Sequence, residues 1–138
     1  VIPLAKQSGL AWTTLSVDDS SGTPQDIRND ITHLEFTTPR AVQEVTGIDK
    51  SAVERLLLLA DFTITLTGVF NPAANKSHDV FKTVPSTSVN RTVSITVGGK
   101  SLPNEVLFTD YPLTRSDTGE LTFAVPGSLA DGTVPTWA

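Results

Sequence analysis

The hydrophobic positions of this chain recur with a period of two over short stretches. That is the spacing of a strand with one buried and one solvated face. The clearest case is 62–67, where Phe62, Ile64 and Leu66 alternate with Thr63, Thr65 and Thr67. The same pattern runs through 92–97, with Val93, Ile95 and Val97 set against Thr92, Ser94 and Thr96. Gly98-Gly99-Lys100 follows and supplies a tight hairpin turn. Residues 105–114 and 120–125 read as the next pair of strands, joined by 115–119, with Leu121, Phe123 and Val125 facing inward. A weaker alternation over 11–17 turns Leu15 and Val17 inward, and 18–25 is a polar loop rich in turn residues. Residues 26–38 are extended with mixed faces: Ile31, His33 and Glu35 share one, Thr32, Leu34 and Phe36 the other. Pro39 interrupts this segment, and 41–48 resumes it.

Two stretches break the alternation. Residues 56–59 are leucine throughout, an apolar run that needs cover on every side. The surrounding 49–60 has two readings. Asp49 as a cap, with Ser51 and Glu54 in capping-box spacing, would start a helix with Val53, Leu56, Leu57 and Ala60 on one face. A loop entering a strand is slightly favoured, because no turn signal precedes Phe62. The other exception is a helix predicted from Asn71-Pro72 to Pro85, with Ala73, Ser77, Val80, Phe81 and Val84 along one face. The whole is a mainly β chain, a sandwich or barrel of about five to seven strands with one flanking helix. Its 138 residues fit one domain, with residues 1–9 an N-terminal arm and 126–138 a Pro/Gly-rich C-terminal tail.

Composition narrows the function. There is no cysteine, so neither a disulfide framework nor a thiolate metal site. A net charge of −5 opposes binding to nucleic acid or anionic lipid. No run approaches the roughly 18 apolar residues of a membrane-spanning helix, and the first ten residues do not read as a secretory leader. The two histidines, His33 and His78, are ordinary surface or interface residues rather than metal ligands. No nucleophile elbow, phosphate loop or paired carboxylates in a recognisable setting is present. We therefore expect no enzyme, no cofactor and no metal. The leucine run and Trp137 are the candidate subunit-interface residues. A tryptophan this near the terminus packs either on its own sandwich or on a neighbour.

Several segments together resemble a known family. They are Glu54-Arg55-Leu56, the run from Ala60-Asp61-Phe62 through Gly68 to Asn71, the helix sequence from Ser77-His78-Asp79 to Lys82, the stretch from Asn104 to Tyr111, and 119–123. From about Asp26 onward the chain is similar to the major tail protein, or tail tube protein, of long-tailed bacteriophages, particularly those of actinobacteria. The resemblance implies a sandwich flanked by a helix, in which six copies close a ring and complete a β-barrel between them. Rings would stack into a hollow conduit for DNA ejection, assembled around a tape-measure protein and ended by terminator and tip proteins. It further implies a place in the virion tail, assembly in the host bacterial cytoplasm, and no membrane partner. Relatives grip the next ring with a terminal arm and a long inter-strand loop, which map here to 1–9, 126–138 and 37–60.

Physical reasoning is consistent with such a role. Sheets closed across subunits hide strand edges that would otherwise aggregate. A head-to-tail contact closes within a ring and propagates along an axis. Acidic residues facing the bore would let DNA pass without sticking, and Asp26, Asp30, Glu35, Glu44 and Glu105 are the expected lumen-facing set. The alternative is a β-sandwich binding module such as an adhesin or carbohydrate-binding domain. It needs an aromatic patch that 7% aromatic content, with the tryptophans near the two ends, hardly provides.

Overall fold

The computed structural model describes residues 6–138. Ten strands and one helix follow in order: β1 (Trp12–Asp18), β2 (Pro24–Asp26), β3 (Ile31–Thr37), β4 (Arg40–Glu44), β5 (Arg55–Ala60), β6 (Thr63–Val69), α1 (Ser77–Phe81), β7 (Arg91–Val97), β8 (Lys100–Phe108), β9 (Leu113–Arg115) and β10 (Leu121–Leu129). Eight form one antiparallel sheet in the order β2-β1-β7-β8-β10-β6-β3, with β9 also lying along β10. The remaining two, β4 and β5, pair only with each other.

The alternations become buried faces as expected. Ile64 and Leu66 of β6, Val93 and Ile95 of β7, and Phe123 and Val125 of β10 join one core with Leu15 and Val17. Gly98 and Gly99 have φ of 58° and 81°, the left-handed geometry that a two-residue hairpin turn requires. The sheet curls until its two ends meet over aromatic rings. Trp12 of β1 lies edge-on to Phe36 of β3 at 6.1 Å, and Phe36 packs on Phe62 at 5.7 Å. The ladder does not close there. A cleft of about 510 Å³, lined by residues that include Trp12, Arg28, Ile31 and Leu34, separates β1 from β3. Arg28 Nη1 donates to the Thr13 carbonyl at 2.6 Å, satisfying an edge group of β1 that no strand reaches.

The helix plugs another side. Val80 and Phe81 are buried, and the Phe81 ring meets Phe108 at 5.4 Å and Phe123 at 5.8 Å. It is much shorter than expected and starts at Ser77 rather than Pro72. The Asn71 side chain bends the chain locally, its oxygen accepting from Ala73 N at 3.0 Å, and Asn75 adopts a left-handed φ of 61°. The turn ahead of the helix is thus held open instead of winding into it.

Other departures have equally local causes. A bulge between Ile31 and His33 shifts the register of β3, so Ile31, Leu34 and Phe36 all pack on the core while His33 and Glu35 point out. The mixed faces read from a uniform alternation disappear. Residues 49–54 are loop and bend, with no helix, and the strand starts at Arg55. The strand count exceeds seven because two three-residue strands, β2 and β9, and the β4–β5 ribbon add to it. Finally, β10 continues through Pro126 to Leu129. Pro126 falls between the part of β10 paired with β9 and the part paired with β8, so its missing N–H breaks no ladder. Of the expected N-terminal arm, residues 1–5 lie outside the described residues, and Gly9–Ala11 form one 3-10 turn.

Candidate subunit interface

The β4–β5 ribbon is the part of the fold that its own chain leaves uncovered. It is a regular antiparallel hairpin, with Val42 opposite Leu57 and Gln43 opposite Leu56. Backbone bonds close both ends, from Asp61 N to Pro39 O at 2.9 Å and from Val45 N to Glu54 O at 2.9 Å. The Arg40 guanidinium donates to Leu58 O at 2.9 Å. No residue of either strand is buried. A two-stranded ribbon has two faces and no core, so each apolar side chain stays bare unless another body covers it.

What it exposes is large. Leu56, Leu57, Leu58 and Leu59 are 53%, 63%, 40% and 85% exposed, and Ile48 at the far end is fully exposed. Val42, Val45 and Val53 add to the same surface. The exposed surface includes the leucine run singled out from sequence, and also Ile48, Val42 and Val53, which fall in the 37–60 segment but were not named as interface residues. The signal for Val42 and Ile48 was the 41–48 segment, whose apolar residues continue an extended pattern.

Trp137 has a divided environment. Ala138 and Ser101 exchange two backbone hydrogen bonds, of 2.9 and 3.0 Å, and pin the C-terminus along the unpaired half of β8. This carries the Trp137 ring onto Phe36 at 6.0 Å, while half of its surface remains exposed. It therefore packs on its own sandwich and leaves a face available to a neighbour.

The five acids expected to line a bore do not gather. Asp30 is a correction: it is buried, accepting from Asn71 Nδ2 at 2.9 Å and from Ser77 N at 3.1 Å, and so caps the helix. Asp26, opposite Ser16, and Glu105, which accepts from the Thr92 hydroxyl, lie on the outer side of the β2-β1-β7-β8 half. Glu44 is on the ribbon, and Glu35 is on β3 with its carboxylate 3.9 Å from His33. His78 is elsewhere, its Nδ1 3.2 Å from the Tyr111 hydroxyl and its ring stacked near Phe70. Among the described residues no group of three or more His, Asp or Glu could hold a metal, and no helix is long and apolar enough to cross a membrane.

The sheet half formed by β9, β10, β6 and β3 presents a threonine-rich outer face, interrupted by Leu107, Pro126, Ala124 and Val69, as its register traces. Thr37, Thr63, Ser128 and Leu107 form one row, and Glu35, Thr65 and Pro126 the next. His33, Thr67 and Ala124 come third, then Val69, Thr122 and Thr114. The outer edges of β3 and β9 pair with no strand among the described residues. In the other half, β2 has three residues and begins with proline, and the far edge of β8 is taken by β10 and the C-terminal segment.

No protein-family description matches this chain, and no curated protein does. Solved structures do. A chain from the tail of an empty gene transfer agent particle, determined with helical refinement and C6 symmetry, superposes with a TM-score of 0.71 at 17% identity, covering 96% of this chain and 98% of that one. A chain from the virion of a native gene transfer agent particle gives 0.67 at 16% identity, covering 95% and 99%. At these identities the likeness shows a shared fold over essentially the whole length of each chain.

Proposed function

We propose that this chain is the repeating structural subunit of a phage-type tail tube, with an architectural rather than a catalytic role. Six copies form a ring, and rings stack into a conduit that DNA traverses. The observation that carries this reading is the β4–β5 ribbon, a well-formed hairpin with eight large exposed apolar side chains and none buried. A solvated monomer has no use for such a surface, whereas stacked copies would cover it. The shared fold with a chain from a tail determined with C6 symmetry supports this reading.

Ring closure has a natural route. The unit β9-β10-β6-β3 ends in two unpaired edges, and pairing β3 of one copy with β9 of the next gives a head-to-tail contact that closes on itself. The ribbon leaves the sheet between β3 and β6, with only two residues linking each side, so it projects along the direction of those strands. In that direction it meets the next ring. A tape-measure protein, terminator and tip proteins, assembly in a bacterial cytoplasm and final residence in the virion tail belong to the same reading.

Negative-stain electron microscopy of the purified protein over a range of concentrations tests it. Rings or tubes are the expected outcome. A chain that stays monomeric by sedimentation at millimolar concentration would refute the proposal.

A further inference from the structure

Resting on the tail-tube reading, we infer that the bore is lined by a largely uncharged, threonine-rich surface carrying one ring of glutamates, Glu35, rather than by an acidic sleeve, and that the polyanion passing through it meets no lysine or arginine on these strands. Two observations lead there. The first is which half of the sheet can face inward. Among the described residues β9-β10-β6-β3 has an unpaired outer edge at each end, on β3 and on the three-residue β9. The other half ends on one side in β2, where Pro24 lacks an N–H, and its far side on β8 is taken by β10 and the pinned C-terminus. A continuous barrel built from strand pairing must use the first half. Its core-facing side is filled by Ile64, Leu66, Phe123 and Val125, so its polar side is the one left to face the axis.

The second is what that polar side carries. Of the ten Lys and Arg residues, Arg115 alone lies on these four strands. It registers with Leu121, on the same side as Phe123 and away from the threonines. The face itself is led by Thr63, Thr65, Thr67 and Thr122, with Glu35 and His33 its ionisable residues. Affinity for duplex DNA is dominated by cations that neutralise phosphates and release counterions. With no such cation there is nothing to release, and a hydroxyl offers a phosphate no more than water does. Glu35 sits two residues from His33, and the ring of six would repel phosphate at one level of each subunit. The carboxylates of Asp26 and Glu105, on the opposite half, would then face outward.

The absence of cysteine makes the test direct. Thr65→Cys and Ser94→Cys are assembled separately into tubes and treated with a small maleimide or with a maleimide on a long polymer. Both positions should react with the small reagent. In intact tubes Thr65→Cys should react with the polymer reagent at least about tenfold more slowly than in dissociated subunits, whereas Ser94→Cys should react equally in both states. Should Thr65→Cys fail to assemble, Thr122→Cys on the same face takes its place. As a second readout, T65K tubes should retain nuclease-protected duplex DNA at low salt and release it at high salt, and wild-type tubes should retain none. Equal polymer labelling of Thr65→Cys in tubes and subunits, or protection at Ser94→Cys, overturns the assignment of the bore. If wild-type protein makes no tubes, it is the subunit reading that fails.

Discussion

Replacing Leu59 by aspartate separates folding from assembly. Leu59 is 85% exposed on β5 and touches no core, so the isolated chain should lose almost nothing, within about 0.5 kcal/mol for a surface change. On the proposed stacking the side chain becomes covered. Full burial of a leucine is worth about 1.5–3 kcal/mol, and most of that surface is still available to a neighbour, so each contact loses about 2 kcal/mol. An unpaired carboxylate at the joint adds a further desolvation cost. Two kcal/mol corresponds to roughly a 30-fold change in an association constant. The critical concentration for tube formation should therefore rise at least about 30-fold, and tubes should vanish at concentrations where the wild type assembles fully. Sedimentation across a dilution series measures this, with a thermal melt of the monomer as the control. Tubes at the wild-type concentration would show that the leucine run plays no part in the joint. A melting temperature several degrees lower would show instead that it supports the subunit's own fold.

Three further outcomes follow, two from the interior and one from an exposed loop. Arg91 is buried, burial pulls its pKa down, and its guanidinium holds the carbonyls of Val80 and Asp18 and the Thr83 hydroxyl; R91M should cost about 3 kcal/mol, lowering the melting temperature by roughly 10 °C. At Gly68 an added Cβ would lie 2.3 Å from the Asp30 carbonyl oxygen and 2.9 Å from the Phe123 ring, so G68A should destabilise by about 2–4 kcal/mol in denaturant melts. The Asp19 carboxylate accepts hydrogen bonds from Ser21, Thr23 and Gln25, which hold its pKa at about 2 against 3.8 ordinarily. A depressed folded-state pKa gives stability that is present above 3.8 and lost as pH falls towards 2, so D19N should flatten stability against pH within that window. The effect will be small, because the group is solvent-screened.

The sequence displayed most of the fold because most of its strands are one-sided. Where one face is buried and the other wet, side-chain polarity reports orientation directly, as in 62–67 and 92–97. It failed where backbone geometry rather than polarity decides. The bulge before His33 is invisible to an alternation rule, and it turned a strand of mixed faces into one with a clean inner side. The helix was overextended because Asn71 and Pro72 look like a helix start, while in the fold Asn71 spends its side chain on Ala73 and Asp30. Asp30 itself illustrates the limit for site residues. Its partner Ser77 is 47 positions away, so nothing near it in the chain distinguishes a capping carboxylate from one facing solvent. The leucine run was legible because four adjacent leucines cannot all face one core. Its location on a free-standing ribbon was not, since that depends on what β3 and β6 fail to provide beyond their ends.

The core and the ribbon divide the work between folding and assembly. The interior is built within one chain: among the described residues fifteen hydrophobic ones are buried, the helix is capped by Asp30 and clamped by Arg91, and the C-terminus is tied to β8. A subunit can therefore fold before it meets another. The ribbon gains nothing from that event, because its leucines are as bare afterwards as before. On the proposed reading its burial energy is held back for the stacking step, where apolar surface is covered only in the presence of other copies. Such an arrangement favours growth on an existing end, which offers several ribbons or their receptors at once, over pairing of free subunits, which covers one. Under the tail-tube proposal the exposed leucines thus set the order of events: a fold that stands alone, then a tube that extends from a nucleus.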